Sequence, residues 1–212
     1  GIDVLLPGSE TELRTLVGIR QALSDAGCHL VASPAEAVSL CQNKARLYQW
    51  LENNDFGVPS SAGHSDWRDL VSRFGFPIVA KPSGASGGSR NVALLADFEE
   101  VARYIASFPD TPEQIVFQEY VGDADNEYTV GVIIAQEGVV IDSIVLRRVL
   151  KGLSLGTTRV ICGKTYTLST GYSQGVIVKD AAVQDLCENL AVSLGLVGPV
   201  NVQLRKHGSG IK

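Results

Sequence analysis

A ten-residue loop, Lys81-Pro82-Ser83-Gly84-Ala85-Ser86-Gly87-Gly88-Ser89-Arg90, constrains this chain more than any other stretch. It begins on the last residues of one β-rich run, Phe76 to Pro82, and leads into another, Asn91 to Leu95, so it must reverse the chain while adding almost nothing to a core. Its three glycines let the main chain take φ > 0 and bring N–H groups close to an anion. Its three serines add donors, and a cation stands at each end. That composition suits the cradling of a phosphate. The loop is neither G-x-x-x-x-G-K-[ST] nor a G-x-G-x-x-G turn from strand to helix. Taken alone, it suits a solvated hairpin tip as well.

The flanking pattern sets the fold class. Ile2 to Leu6 reads as a short buried strand, and Ser9 with Glu12 forms a capping box that opens a helix through about Ala26. Gly27 stops it, and Leu30-Val31-Ala32 is a second strand. That order is β-α-β, the signature of a parallel pair. A helical stretch follows Ser33-Pro34 to about Asn53, broken near Asn43-Lys44, and Asp66 to Phe74 is another helix. Asp97 and Glu100 cap a helix that reaches about Phe108. The second half is β-rich, with Ile115 to Tyr120, Glu127 to Ala135 and Val139 to Leu150 as strands. Gln136-Glu137-Gly138 turns between the last two. An amphipathic helix, Asp180 to Leu194, and a strand, Pro199 to Lys206, close the series. The class is therefore α/β followed by α+β, ending in an antiparallel sheet with helices.

Composition narrows the function. A net charge of −5 and a pI near 5.2 argue against a nucleic-acid partner. No run approaches the roughly 18 apolar residues of a membrane span. Cys28, Cys41, Cys162 and Cys187 make no C-x-x-C pair, and His29, His64 and His207 do not cluster with them. A reduced, cytoplasmic protein is expected. The chain starts at Gly1 and contains no methionine, so a piece of a longer protein is expected too.

Further polar residues stand where a ligand could meet them. Glu119 ends one strand and Glu127 begins the next, so both can reach the turn between them, and the main chain of Tyr120 and Val121 can offer donors and acceptors to a base. Asn201, Gln203 and Arg205 share one strand face by the period of two. Lys44 stands upstream of the loop, and Arg147 and Arg148 must face opposite sides of their strand. Singly, each is equally at home on a solvated surface.

Taken in order, Asn43-Lys44, Phe76-Pro77-x-x-x-Lys81-Pro82 with its loop, Gln118-Glu119-Tyr120-Val121, Glu127-Tyr128-Thr129-Val130 and Gly198-Pro199-x-Asn201-Val202-Gln203 resemble the ATP-grasp superfamily. The nearest likeness is to its carbamoyl-phosphate-synthase-like and carboxylate–amine ligase branch. The resemblance implies an ATP-grasp fold with nucleotide held between a small α+β domain and a larger antiparallel sheet with helices. It implies residues 1–41 as the end of an N-terminal α/β domain, 42–118 as the small subdomain and 119–212 as the larger one. By the same likeness Lys44 and Lys81 hold the ATP phosphates, and Gly84, Ser86, Gly87 and Gly88 close over them. Glu119 with Tyr120 and Val121 forms the adenine hinge, and Glu127 takes the ribose hydroxyls. Lys81 and Arg148, less so Arg147, act at the transferred phosphate, and Gln203 touches metal or phosphate. The cofactors implied are ATP and Mg²⁺. The activity implied is a ligase that turns a small-molecule carboxylate into an acyl phosphate for attack by an amine, with a homodimer allowed. An ATP-binding module without catalysis stays open as the alternative. The family's E-x-N-P-R strand, which supplies the principal magnesium ligands, would begin where this chain stops, at Ile211-Lys212. The loop also lacks the cation that many members carry soon after the proline.

Overall fold

Parallel pairing opens the fold. In the computed structural model, Val4–Leu5 (β1) lies beside His29–Leu30 (β2), with Val4 opposite His29 and Leu5 opposite Leu30. The structure describes residues 1–84, 91–150, 156–169, 174–208 and 210–212. The expected burial of the first strand is not found: Val4 is 51% exposed, and Ile2 and Leu6 are more so. The expected single helix is two, Glu10–Gly18 (α1) and Arg20–Asp25 (α2). Gly18 followed by β-branched Ile19 is a weak point in a helix. The break turns Arg20 so that its guanidinium donates to the carbonyls of Leu30, Ala32 and Ser33. Ser9 Oγ caps α1 by accepting from Glu12 N, and Glu12 reaches back to Gly8 N.

Two helices follow, Ala35–Gln42 (α3) and Lys44–Asn53 (α4), parted at Asn43, whose Oδ1 accepts from Arg46 N as the cap of α4. Next come Ser61–Ala62 (β3), Trp67–Phe74 (α5), Ile78–Pro82 (β4), Ala93–Leu95 (β5), Phe98–Ala106 (α6) and Ile115–Glu119 (β6). These strands form one antiparallel sheet in the order β3-β6-β4-β5. Its register sorts the side chains. Ile78, Ala80, Leu95, Ile115 and Phe117 join Trp67, Leu70, Val71 and Val101 of α5 and α6 in a buried cluster. Val79, Lys81, Val116 and Gln118 therefore lie on the opposite face.

The remaining strands are Glu127–Ile134 (β7), Val140–Val149 (β8), Gly156–Ile161 (β9), Lys164–Ser169 (β10), Gln174–Ile177 (β11), Gly198–His207 (β12) and Gly210–Ile211 (β13), with helix Ala181–Ser193 (α7) before β12. A five-stranded sheet has the order β11-β8-β7-β12-β13. The antiparallel β9–β10 hairpin is separate, and it turns at Cys162 and Gly163, both at positive φ. No sequence pattern announced that hairpin.

The chain forms two compact units. The first holds Gly1–Gln42, Thr129–Leu146 and Ile177–Gln203. Its buried residues recur as stripes: Val130, Val132 and Ile134 on β7, and Val183, Cys187 and Ala191 on α7. The second holds Asn43–Tyr128, Arg147–Val176 and Leu204–Lys212, including the helix-covered four-stranded sheet.

Candidate functional site

The second unit gathers most of the polar residues singled out above. Lys81 sits on the face of β4 away from the α5–α6 core, and α4 meets it there. Its ammonium donates to the Tyr48 hydroxyl and, at 2.7 Å, to Gln118 Oε1, and it lies 4.9 Å from the centre of the Tyr48 ring. Gln118 is buried and donates onward to Ser61 Oγ. The described partners of Lys81 are thus neutral.

Lys44 opens α4 one turn before Tyr48, so the two side chains share a helix face. Lys44 N donates to Ser83 O at 2.9 Å, and its Nζ donates to Gly84 O at 3.1 Å. Ser83 N in turn donates to Gln114 O. Two lysines far apart in sequence therefore meet at the root of the glycine–serine loop, together with the positive end of α4. Gly84 is the last described residue there; Ser86, Gly87 and Gly88 lie outside the described residues.

A second constellation surrounds Glu127. Its side chain is 7% exposed, and Arg148 Nη1 donates to Oε1 at 2.6 Å. Arg205 donates to Oε2 through Nε at 2.9 Å and through Nη2 at 2.7 Å. The arginines differ as period two requires: Arg148 is buried and Arg147 is exposed. Arg205 also donates to the carbonyls of Val121 and Thr167, and its guanidinium lies 5.0 Å from the centre of the Tyr120 ring. Burial alone would lower its pKa; the charge of Glu127 and the hydrogen bonds to it prevail and raise it. The Tyr120 hydroxyl accepts from Thr167 N and donates to Thr167 O.

Glu119 enters a different network. Its Oε1 accepts from Ser60 N and from Lys212 Nζ. Lys212 exchanges both main-chain hydrogen bonds with Arg205, so two paired residues carry the cations for the two carboxylates. Gln203 belongs to the first unit, where it is exposed on β12 two residues beyond Asn201, whose Oδ1 accepts from Thr129 Oγ1.

Sequence reasoning placed Arg205 on a strand face but gave it no partner. It quoted Gln118 in a motif without a role, and it missed Tyr48, Thr167 and the bidentate pair of Arg159 on β9 with Glu100 on α6. The Arg159 guanidinium bonded to Glu100 holds its carboxyl down at about 2. No thiol stands ready as a nucleophile at Cys187, which burial pushes up to about 12.

A family model described as an ATP-grasp domain matches residues 41–209. The carbamoyl phosphate synthase large chain of Rubrobacter xylanophilus is 24% identical over 199 residues, which is 91% of this chain and 18% of that one. The large chain from Archaeoglobus fulgidus is also 24% identical, over 90% of this chain and 17% of that one. The chain thus spans less than a fifth of these curated relatives. Among solved structures, a D-alanine–D-alanine ligase from Bacillus anthracis superposes with a TM-score of 0.65 at 16% identity, covering 100% of this chain and 67% of that one. A biotin carboxylase–βγ-ATP complex from Campylobacter jejuni gives 0.71 at 15% identity, over 97% of this chain and 46% of that one. At these identities the structural likeness concerns the fold.

Proposed function

The chain belongs to the ATP-grasp domain family, and from that premise we propose that it is part of an ATP-dependent ligase that activates a small-molecule carboxylate for attack by an amine. The observation that carries this reading is the meeting of Lys44 and Lys81 at the root of the glycine–serine loop. A half-buried ammonium bonded only to neutral described groups keeps its charge for an incoming anion. That donor set fits a triphosphate. Phosphoryl transfer asks for positioning and charge neutralisation more than for a covalent nucleophile.

The residue roles follow. Lys44, Lys81 and the main chain at Gly84 hold the phosphates, with Ser86, Gly87 and Gly88 as the rest of the loop. Glu119 and the main chain of Tyr120 and Val121 receive the adenine, and Glu127 the ribose hydroxyls. Arg148 orients the transferred phosphate through the buried position it holds beside Glu127. ATP supplies the phosphoryl group that makes the carboxylate carbon electrophilic; amine attack then expels phosphate and leaves an amide.

Magnesium is the companion the family implies. Among the described residues no group of three or more His, Cys, Asp or Glu is placed to hold a metal ion. Gln203 offers one exposed amide oxygen, whereas magnesium favours carboxylate and phosphate oxygens. No step is assigned to the metal from these residues.

The test is ATP-dependent phosphate release, screened over amino acids, bicarbonate and small carboxylates with and without amines. Release that needs one carboxylate–amine pair, and that falls in Lys81→Ala, is the expected result. ATP binding with no release under any pair would favour the non-catalytic module instead.

A further inference from the structure

Charge balance does not explain Arg205. Glu127 carries one negative charge, and Arg148 already gives it a buried positive partner. A second guanidinium, 15% exposed, adds desolvation cost and a further positive charge. What Arg205 adds is shape. A planar fork of five donors can serve several acceptors at fixed angles, which an ammonium cannot. This fork does so, donating to Glu127 Oε2 twice, to Val121 O at 3.1 Å and to Thr167 O at 2.9 Å. It thereby fastens the beginning of the β6–β7 turn, the start of β7 and the middle of β10 to one point on β12.

A second observation shows the same fastening in the main chain. Gly122 follows Val121 at φ +67, and a Cβ there would meet the carbonyl oxygen of Lys206 at 2.8 Å. Only glycine lets β12 approach the turn this closely. The approach brings Arg205, the neighbour of Lys206, within reach of Val121.

We infer that Arg205 is the positioning residue of the nucleoside end of the site: it sets the rotation of the Glu127 carboxylate and the direction of the Val121 carbonyl. The inference rests on the nucleotide-binding reading above. The phosphate end takes its two ammonium groups from Lys44 on α4 and Lys81 on β4, and of the residues assigned to the phosphates Arg148 is the one that shares Glu127 with Arg205. The two ends should therefore separate in a binding experiment.

The experiment is calorimetric titration of ATP, and separately of inorganic tripolyphosphate, into the full chain as wild type, Arg205→Lys and Glu127→Gln. Arg205→Lys keeps the charge and removes the fork, and its melting temperature without ligand reports whether the fold is intact. ATP affinity should fall roughly tenfold or more, as loss of charge-assisted hydrogen bonds requires, while tripolyphosphate affinity stays within about twofold. Adding Arg205→Lys to Glu127→Gln should lower ATP affinity less than it does alone, since both act through one carboxylate. Unchanged ATP affinity in Arg205→Lys would overturn the inference and leave the nucleotide site standing. An equal fall for both probes would also overturn it, because it would mark general damage. Absence of ATP binding by the wild type would overturn the site and the inference together.

Discussion

Two cation clusters in the second unit are built on opposite principles. Lys81 is held by a phenol, an amide and an aromatic face, and none of these cancels its charge. Arg148 and Arg205 close on a buried carboxylate, and their partner cancels half of what they bring. The first arrangement spends little on the resting fold and leaves a field for an anion. The second locks strands from distant parts of the chain, and its members are expensive to separate. A cation's surroundings, more than its presence, decide how much of its charge is left for a ligand.

The comparison breaks most readily at Glu127. Glu127→Ala takes the shared carboxylate from the buried Arg148 and the mostly buried Arg205, so unfolding in urea should show a loss of about 3–5 kcal/mol. A loss under about 1 kcal/mol would mean that the cluster is solvated and is not a lock.

The Arg159–Glu100 pair lies between the two principles, partly exposed but bidentate. Glu100 titrates at about 2 instead of its ordinary 4.5, chiefly because of the hydrogen bonds from Arg159. A depressed carboxyl contributes stability above its unfolded value and loses it as pH falls through the folded one. The stability gap between wild type and Arg159→Gln should be full above pH 4.5 and close as pH falls through about 2. Denaturation midpoints across that range check this, and a constant gap would contradict it.

Lys81→Met sharpens the contrast from the other side. With a neutral side chain of similar length in place of the ammonium, the buried Gln118 Oε1 loses its described donor, so stability should fall by about 1–3 kcal/mol, below the loss expected of Glu127→Ala. At the bottom of the scale stands Arg103 with Glu99, an exposed pair one turn apart on α6. Arg103→Ala should cost about 0.3–0.5 kcal/mol by the same urea measurement.

Local chemistry made much of this legible in advance. Ser9 and Asp97 each cap the helix they precede, because a cap is written within four residues. The hairpin at Gly138 and the opposite facing of Arg147 and Arg148 follow from turn chemistry and period two. What escaped was long in range. Arg205 and Glu127 are 78 residues apart, and Arg159 and Glu100 are 59 apart, so no spacing rule joins them. The β9–β10 hairpin escaped because Arg159 and Thr167 are polar residues whose partners, Glu100 and Tyr120, come from elsewhere in the unit. The first strand failed in reverse: an apolar run at Ile2 to Leu6 reads as buried, yet its side chains are largely exposed.

The central claim is that Lys81 keeps its charge for a nucleotide. Calorimetric titration of ATP into wild type, Lys81→Met and Arg103→Ala tests it most directly. Wild type and Arg103→Ala should bind alike, and Lys81→Met should bind roughly ten- to a hundredfold more weakly, the worth of a charge-assisted contact to phosphate. Equal binding by Lys81→Met and wild type would contradict the account.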